Sequence, residues 1–140
     1  MGKNRLVIDP DYDFELYGII TSIKEYKLAW ELNKRLEIRL IKQPDIQLDF
    51  LKEGPVFISN YSYESGHSQY RLIRNKSINQ SVNKIAFILT ELQQFDFLLT
   101  RKGIFKDNNE IISILKEIPL VDFANRFQVN DIKSKENLIF

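Results

Sequence analysis

The stretch TSIKEYKLAWELNKRL, residues 21–36, decides the fold class of this chain. Ser22 followed by Glu25 has the S-x-x-E spacing of a capping box, in which each side chain satisfies a backbone N–H left open at a helix start. At ~100° per residue, Leu28, Ala29, Leu32 and Leu36 fall within about a quarter turn, and Ile23, Tyr26 and Trp30 occupy the neighbouring arc. Together they cover roughly 220°, whereas a helix lying on a sheet needs an apolar stripe of only ~100° or a little more. The spacing therefore predicts a helix over 21–36 that touches two things: a sheet, and either another helix or another subunit. Lys24, Lys27, Glu31, Lys34 and Arg35 share the remaining arc, a solvated face. Asn33 sits inside the apolar arc and, if buried, requires a hydrogen-bond partner.

On the N-terminal side, residues 6–8 (LVI) read as a short strand stopped by Asp9-Pro10, because proline cannot donate to a ladder. Residues 11–21 suit neither period cleanly, and Gly18 weakens both readings. Asp11 and Asp13 supply an N-cap and a first-turn carboxylate, so a short helix is expected there, packed beside the main one. On the C-terminal side, residues 37–43 alternate as a half-buried strand ended by Pro44, and residues 46–50 alternate again. Residues 56–64 and 69–75 flank Ser65-Gly66-His67-Ser68 and predict a β-hairpin. Residues 75–83 are polar and read as a loop, whereas 85–89 and 95–100 are apolar runs suited to buried strands. Asn108 caps a predicted helix to about Glu117, Pro119 stops it, and 121–129 alternates as a last strand. The sum is one α+β domain over 1–140: a mostly antiparallel sheet of about five to seven strands packed by two or three helices.

Composition narrows the chemistry. A hydrophobic fraction of 44% with 28% charge is that of a globular domain, and 140 residues suffice for one core. A net charge of +1 argues against a nucleic-acid or membrane-surface partner. With no cysteine there is no disulfide, thiolate zinc site or cysteine nucleophile, and with one histidine a zinc site would depend on carboxylates. No cofactor or metal is expected. No apolar run approaches the ~20 residues that span a bilayer, and the first residues lack the apolar core of a secretory signal. The expected compartment is the cytosol.

Three segments also carry a likeness. Thr21-Ser22 with Glu25-Tyr26-Lys27-Leu28-Ala29, Asn33 and Leu36 is one; Leu89 with Glu91-Leu92 and Phe95-Asp96-Phe97-Leu98-Leu99 is the second. The third is the terminal KSKENLIF, residues 133–140, preceded by Ile132. Together they resemble the IPExxxVDY family of Bacteroidetes, across nearly the whole chain. The name-giving motif is altered: Ile118-Pro119 is followed by Leu120, and Val121-Asp122-Phe123 comes without a three-residue spacer. The resemblance implies a small intracellular bacterial protein and carries no catalytic residue over.

Four groups of residues invite a functional reading. Asp9, Asp11, Asp13 and Glu15 alternate as in a calcium loop, but that loop needs glycine sixth and glutamate twelfth, where this chain has Phe14 and Ile20. They read instead as a strand end and a helix cap. His67 lies at the predicted hairpin tip near Glu64 and Ser65, and an exposed turn lacks the cleft that shifts a catalytic pKa. The hairpin carries Tyr61, Tyr63, Tyr70, Arg71 and Arg74, rings for stacking beside cations for phosphate, the pattern of single-stranded RNA binding. The same rings equally suit a core. Finally, Leu138-Ile139-Phe140 is an apolar end after a polar spacer, and leaving it in water would forgo roughly 1.5–3 kcal/mol per buried side chain. It is expected to dock, either on its own domain as an edge strand or on a partner. With Tyr26 and Trp30 it forms the candidate interaction set of a non-enzymatic scaffold protein that forms a homodimer or engages a protein partner. Nucleic-acid binding through 56–76 is the alternative.

Overall fold

The computed structural model describes residues 12–50, 54–79, 84–103 and 110–139. The strand expected at 6–8 and the residue Phe140 lie outside them. Among the described residues, ten strands and two α-helices follow the order β1 (Glu15–Thr21), α1 (Glu25–Leu36), β2 (Ile41–Lys42), β3 (Ile46–Phe50), β4 (Gly54–Ile58), β5 (Asn60–Glu64), β6 (Ser68–Arg74), β7 (Lys76–Asn79), β8 (Lys84–Phe87), β9 (Phe97–Gly103), α2 (Glu110–Glu117) and β10 (Val121–Phe127). Six strands form one antiparallel sheet in the order β10-β1-β9-β6-β5-β2, and β3-β4 and β7-β8 form two small ribbons. The fold is α+β.

The sheet is covered on both faces. On one, Tyr17, Ile19, Leu72, Phe97 and Leu99 meet Leu28, Ala29 and Leu32 of α1 and Ile111 and Leu115 of α2. On the other, Leu16, Ile73 and Leu98 meet Val56 and Ile58, the segment Ile88–Phe95, and Val129, Ile132 and Leu138 near the chain end. Strands buried on both faces have no polar side to alternate with, which is why Phe97-Leu98-Leu99 reads as a continuous apolar run.

That double burial also explains the main correction. Residues 11–21 were expected to form a helix, but 15–21 form β1, an inner strand of the sheet flanked by β9 and β10. Leu16 and Ile20 point to one core and Tyr17 and Ile19 to the other, so neither period shows. Gly18 has its own reason: a Cβ there would meet Phe95 Cδ1 at 2.7 Å and Phe127 Cε2 at 3.0 Å, because both rings lie against the strand at this point. Phe95 in turn packs edge-on to Phe127, with ring centroids 5.1 Å apart.

The helix start moves with the strand. Asp96 holds Thr21 in β1 by accepting its N–H at 2.9 Å, so α1 begins at Glu25 with Lys24 as an N-cap that makes no side-chain hydrogen bond. The capping box expected from Ser22 and Glu25 is absent. Thr21 Oγ1 instead accepts the Ile23 N–H at 3.1 Å and donates to the Leu120 carbonyl at 2.6 Å. Glu25 is drawn sideways, accepting from the Ser59 hydroxyl at 2.6 Å beside Lys42 Nζ at 3.8 Å. Asn33 finds the partners its position requires, accepting the Leu40 N–H at 2.7 Å and donating to the Leu40 carbonyl at 3.3 Å. That clamp folds residues 37–40 back along the helix, so only Ile41–Lys42 of the strand expected over 37–43 pairs with β5. Residues 76–79, expected as loop, pair with β8. The strand expected over 56–64 breaks at Ser59: 56–58 belongs to β4 and pairs with β3, and only 60–64 pairs with β6. Asn108, the expected cap of α2, lies outside the described residues.

Candidate functional site

The inner arc of α1 is satisfied within the chain. Leu28, Ala29 and Leu32 are buried, and Ile23, just before the helix, joins the same core. The outer part of the arc is not: Tyr26 and Trp30, one helical turn apart, are 61% and 56% exposed. With 15–21 in the sheet, the helix expected from that segment is not there to cover them. Lys34 places its ammonium 4.2 Å from the Trp30 ring centroid, a cation–π contact that leaves the ring's edge and other face available.

The chain end docks on its own domain. Leu138 is buried in the core on the side opposite the helices, and Asn137 donates from its amide to the Ile88 carbonyl at 2.9 Å. The Ser134 N–H donates to Glu91 at 2.9 Å, and the Ser134 hydroxyl donates to the other carboxylate oxygen. Burial alone would raise the Glu91 carboxyl, but these hydrogen bonds outweigh it and hold the group down at about 2. The segment is a 3₁₀ turn over Lys135–Leu138, not the edge strand expected, because its polar spacer is tied to Glu91 and not to a neighbouring strand. Ile139 remains 44% exposed.

The hairpin residues divide between faces. Tyr61, Tyr63, Tyr70 and Arg74 stand on the helix side of the sheet, as the pairs Tyr63↔Tyr70 and Tyr61↔Leu72 require. Tyr70 is buried, Tyr61 and Tyr63 pack partly buried against the core, and the Tyr63 and Tyr70 rings are 6.3 Å apart. Burial, with Glu25 nearby, raises the Tyr61 hydroxyl pKa. Arg71 projects from the opposite face, where its Nη1 donates to Asn60 Oδ1 at 2.7 Å. The rings and Arg71 therefore do not share a surface. His67 is exposed at the turn, its N–H donating to Ser65 Oγ at 3.2 Å. An open polar hollow of about 330 Å³ lies on the Arg71 face, bordered by Phe14, Ser62, Thr100 and Leu138.

One polar cluster has no counterpart in the sequence reading. Glu15 accepts from Arg101 Nη2 at 2.8 Å and Nε at 3.1 Å, and also from the Tyr17 hydroxyl. Arg101 is 3% exposed. Burial would lower its guanidinium pKa, but the hydrogen bond and charge of Glu15, with Tyr70, raise it; burial and Glu15 push the Tyr17 hydroxyl well above the ordinary tyrosine value. Arg101 stays charged and Tyr17 protonated, and the hydrogen-bonded ion pair locks β1 to β9. Of the alternating acids, Asp13 is exposed and Asp9 and Asp11 lie outside the described residues. The lock joins residues 86 apart, a distance no local spacing encodes. Among the described residues no group of three or more His, Asp and Glu side chains is placed to hold a metal ion, and no helix is long and apolar enough to cross a membrane.

No protein-family model matches the chain, and no curated protein is similar to it.

Proposed function

We propose that this chain is a non-enzymatic interaction protein that presents the outer face of α1 to a protein partner. The observation that carries the reading is the exposure of Tyr26 and Trp30 on a helix whose packing face is already filled by Leu28, Ala29 and Leu32. Large aromatic side chains offer wide contact area at low conformational cost and are the residue types that anchor interfaces. The likeness to the IPExxxVDY family and a place in the cytosol belong to the same proposal. A photo-crosslinking phenylalanine analogue at position 26, introduced in living cells, tests it. The expected result is a discrete crosslinked species that Trp30→Ser removes while leaving thermal stability unchanged. Crosslinking that stays diffuse, or that ignores Trp30→Ser, would sink the reading.

A further inference from the structure

The two outer strands of the sheet are built differently. β2 is two residues long, ends in Lys42 and is followed by Pro44, three devices that keep an edge from pairing with another chain. β10 is seven residues long and contains neither proline nor lysine. Among the described residues no strand lies beyond it. Its one irregularity is a bulge at residue 122, between the pairs Ile20↔Phe123 and Thr21↔Val121, which leaves 123–127 regular.

The direction of its free backbone groups follows from β1. The Ile19 carbonyl accepts the Asp96 N–H at 2.9 Å and the Thr21 N–H donates to the Asp96 carboxylate at 2.9 Å, so odd positions of β1 turn towards β9. Antiparallel ladders alternate, so Leu16, Gly18 and Ile20 bond to β10 through Phe127, Asn125 and Phe123. Ala124 and Arg126, opposite Ile19 and Tyr17, then direct their N–H and C=O groups outward.

We infer that β10 pairs antiparallel with β10 of a second copy of this chain, with the two-fold axis at Ala124. Three two-fold registers use the outward groups, centred on residues 124, 125 or 126. Centring on 126 sets Arg126 against itself, and centring on 125 sets Asp122 opposite Gln128. Centring on 124 sets Asp122 of each copy opposite Arg126 of the other, both exposed, and so matches charge twice across one axis. Phe123, 48% exposed, then lies diagonally opposite its own copy at a backbone spacing of ~7–8 Å, within reach of an aromatic ring. The interface is isologous, as a closed dimer requires, and joins two six-stranded sheets into one.

The proposal rests on the interaction reading and names one partner, but its surface is separate from Tyr26 and Trp30. Light scattering on a size-exclusion column, with the full chain at micromolar concentration, tests it. The wild-type chain is expected at twice the chain mass, Asp122→Arg and Arg126→Asp each at the chain mass, and the double exchange Asp122→Arg/Arg126→Asp at twice the mass again. Far-UV circular dichroism confirms that all four are folded. A monomeric wild type, as when another segment of the same chain covers the edge, overturns the proposal. So does a dimer indifferent to both single changes, or a double exchange that stays monomeric. None of these outcomes touches the crosslinking result at position 26.

Discussion

Asn75 shows how much one side chain can carry. It is fully buried, and its amide donates to the Leu92 and Phe95 carbonyls at 2.9 and 3.0 Å while its oxygen accepts the Leu89 N–H at 3.0 Å. Its backbone adds two more hydrogen bonds, to Asp96 and Ile88. The residue thus splices the end of β6 to the irregular segment 88–96, whose backbone groups have no ladder of their own. Asn75→Ala takes the side-chain partner from the Leu89 N–H and the Phe95 carbonyl, while the Leu92 carbonyl keeps the Phe95 N–H at 3.0 Å, and at ~1–3 kcal/mol for each orphaned group the expected loss is about 3 kcal/mol. Urea unfolding followed by Trp30 fluorescence measures it; a loss below about 1 kcal/mol would mean that water replaces the amide. In the sequence Asn75 looks like the first residue of a polar loop, because an asparagine's type says nothing about which carbonyls fold back onto it.

The chain end is the element whose stability depends most openly on pH. Glu91 has its folded pKa held down at about 2 by the Ser134 hydrogen bonds, below the ~4.3 of an unfolded glutamate. A depressed carboxylate contributes stability that is complete above the unfolded value and disappears as pH falls through the folded one. The 3₁₀ turn Lys135–Leu138 is therefore expected to hold at pH 5 and to loosen between about pH 4 and pH 2. In a ¹H–¹⁵N titration the Ser134 amide should shift with a midpoint near 2, and Glu91→Gln should abolish the shift. A midpoint at the ordinary glutamate value would show that the carboxylate is not held. That Leu138 takes cover was legible from an apolar side chain following a polar spacer, while Ile139 stays 44% exposed. Where the tail docks was not legible, because the Glu91 carboxylate that receives Ser134 belongs to a different element 43 residues earlier.

For the whole molecule, stability should be graded from the sheet centre outward. β1 and β9 are buried on both faces and flanked on both sides, and the Glu15–Arg101 pair ties them where the apolar core ends. Native-state hydrogen exchange is expected to be slowest at Ile19, Leu98 and Leu99, opening only with global unfolding, and faster in the β7–β8 ribbon. Uniform protection across the sheet would contradict a core built on the inner strands β1 and β9. The α+β class, the amphipathic helix ending at Leu36 and strands over 46–50 and about 95–100 follow from the sequence alone, because periodicity and composition are local and survive without neighbours. The same holds for the surplus of apolar surface on that helix, which identified Tyr26 and Trp30. Only the tertiary structure decided that 15–21 is an inner strand of the sheet, that Thr21 belongs to the strand and not to the helix cap, and that Asp122 and Arg126 stand on the outermost strand among the described residues. Each of these depends on what lies beside the residue (Phe95 over Gly18, Asp96 beside Thr21, β1 on one side of Ala124), and a side chain's own chemistry does not specify what it will face.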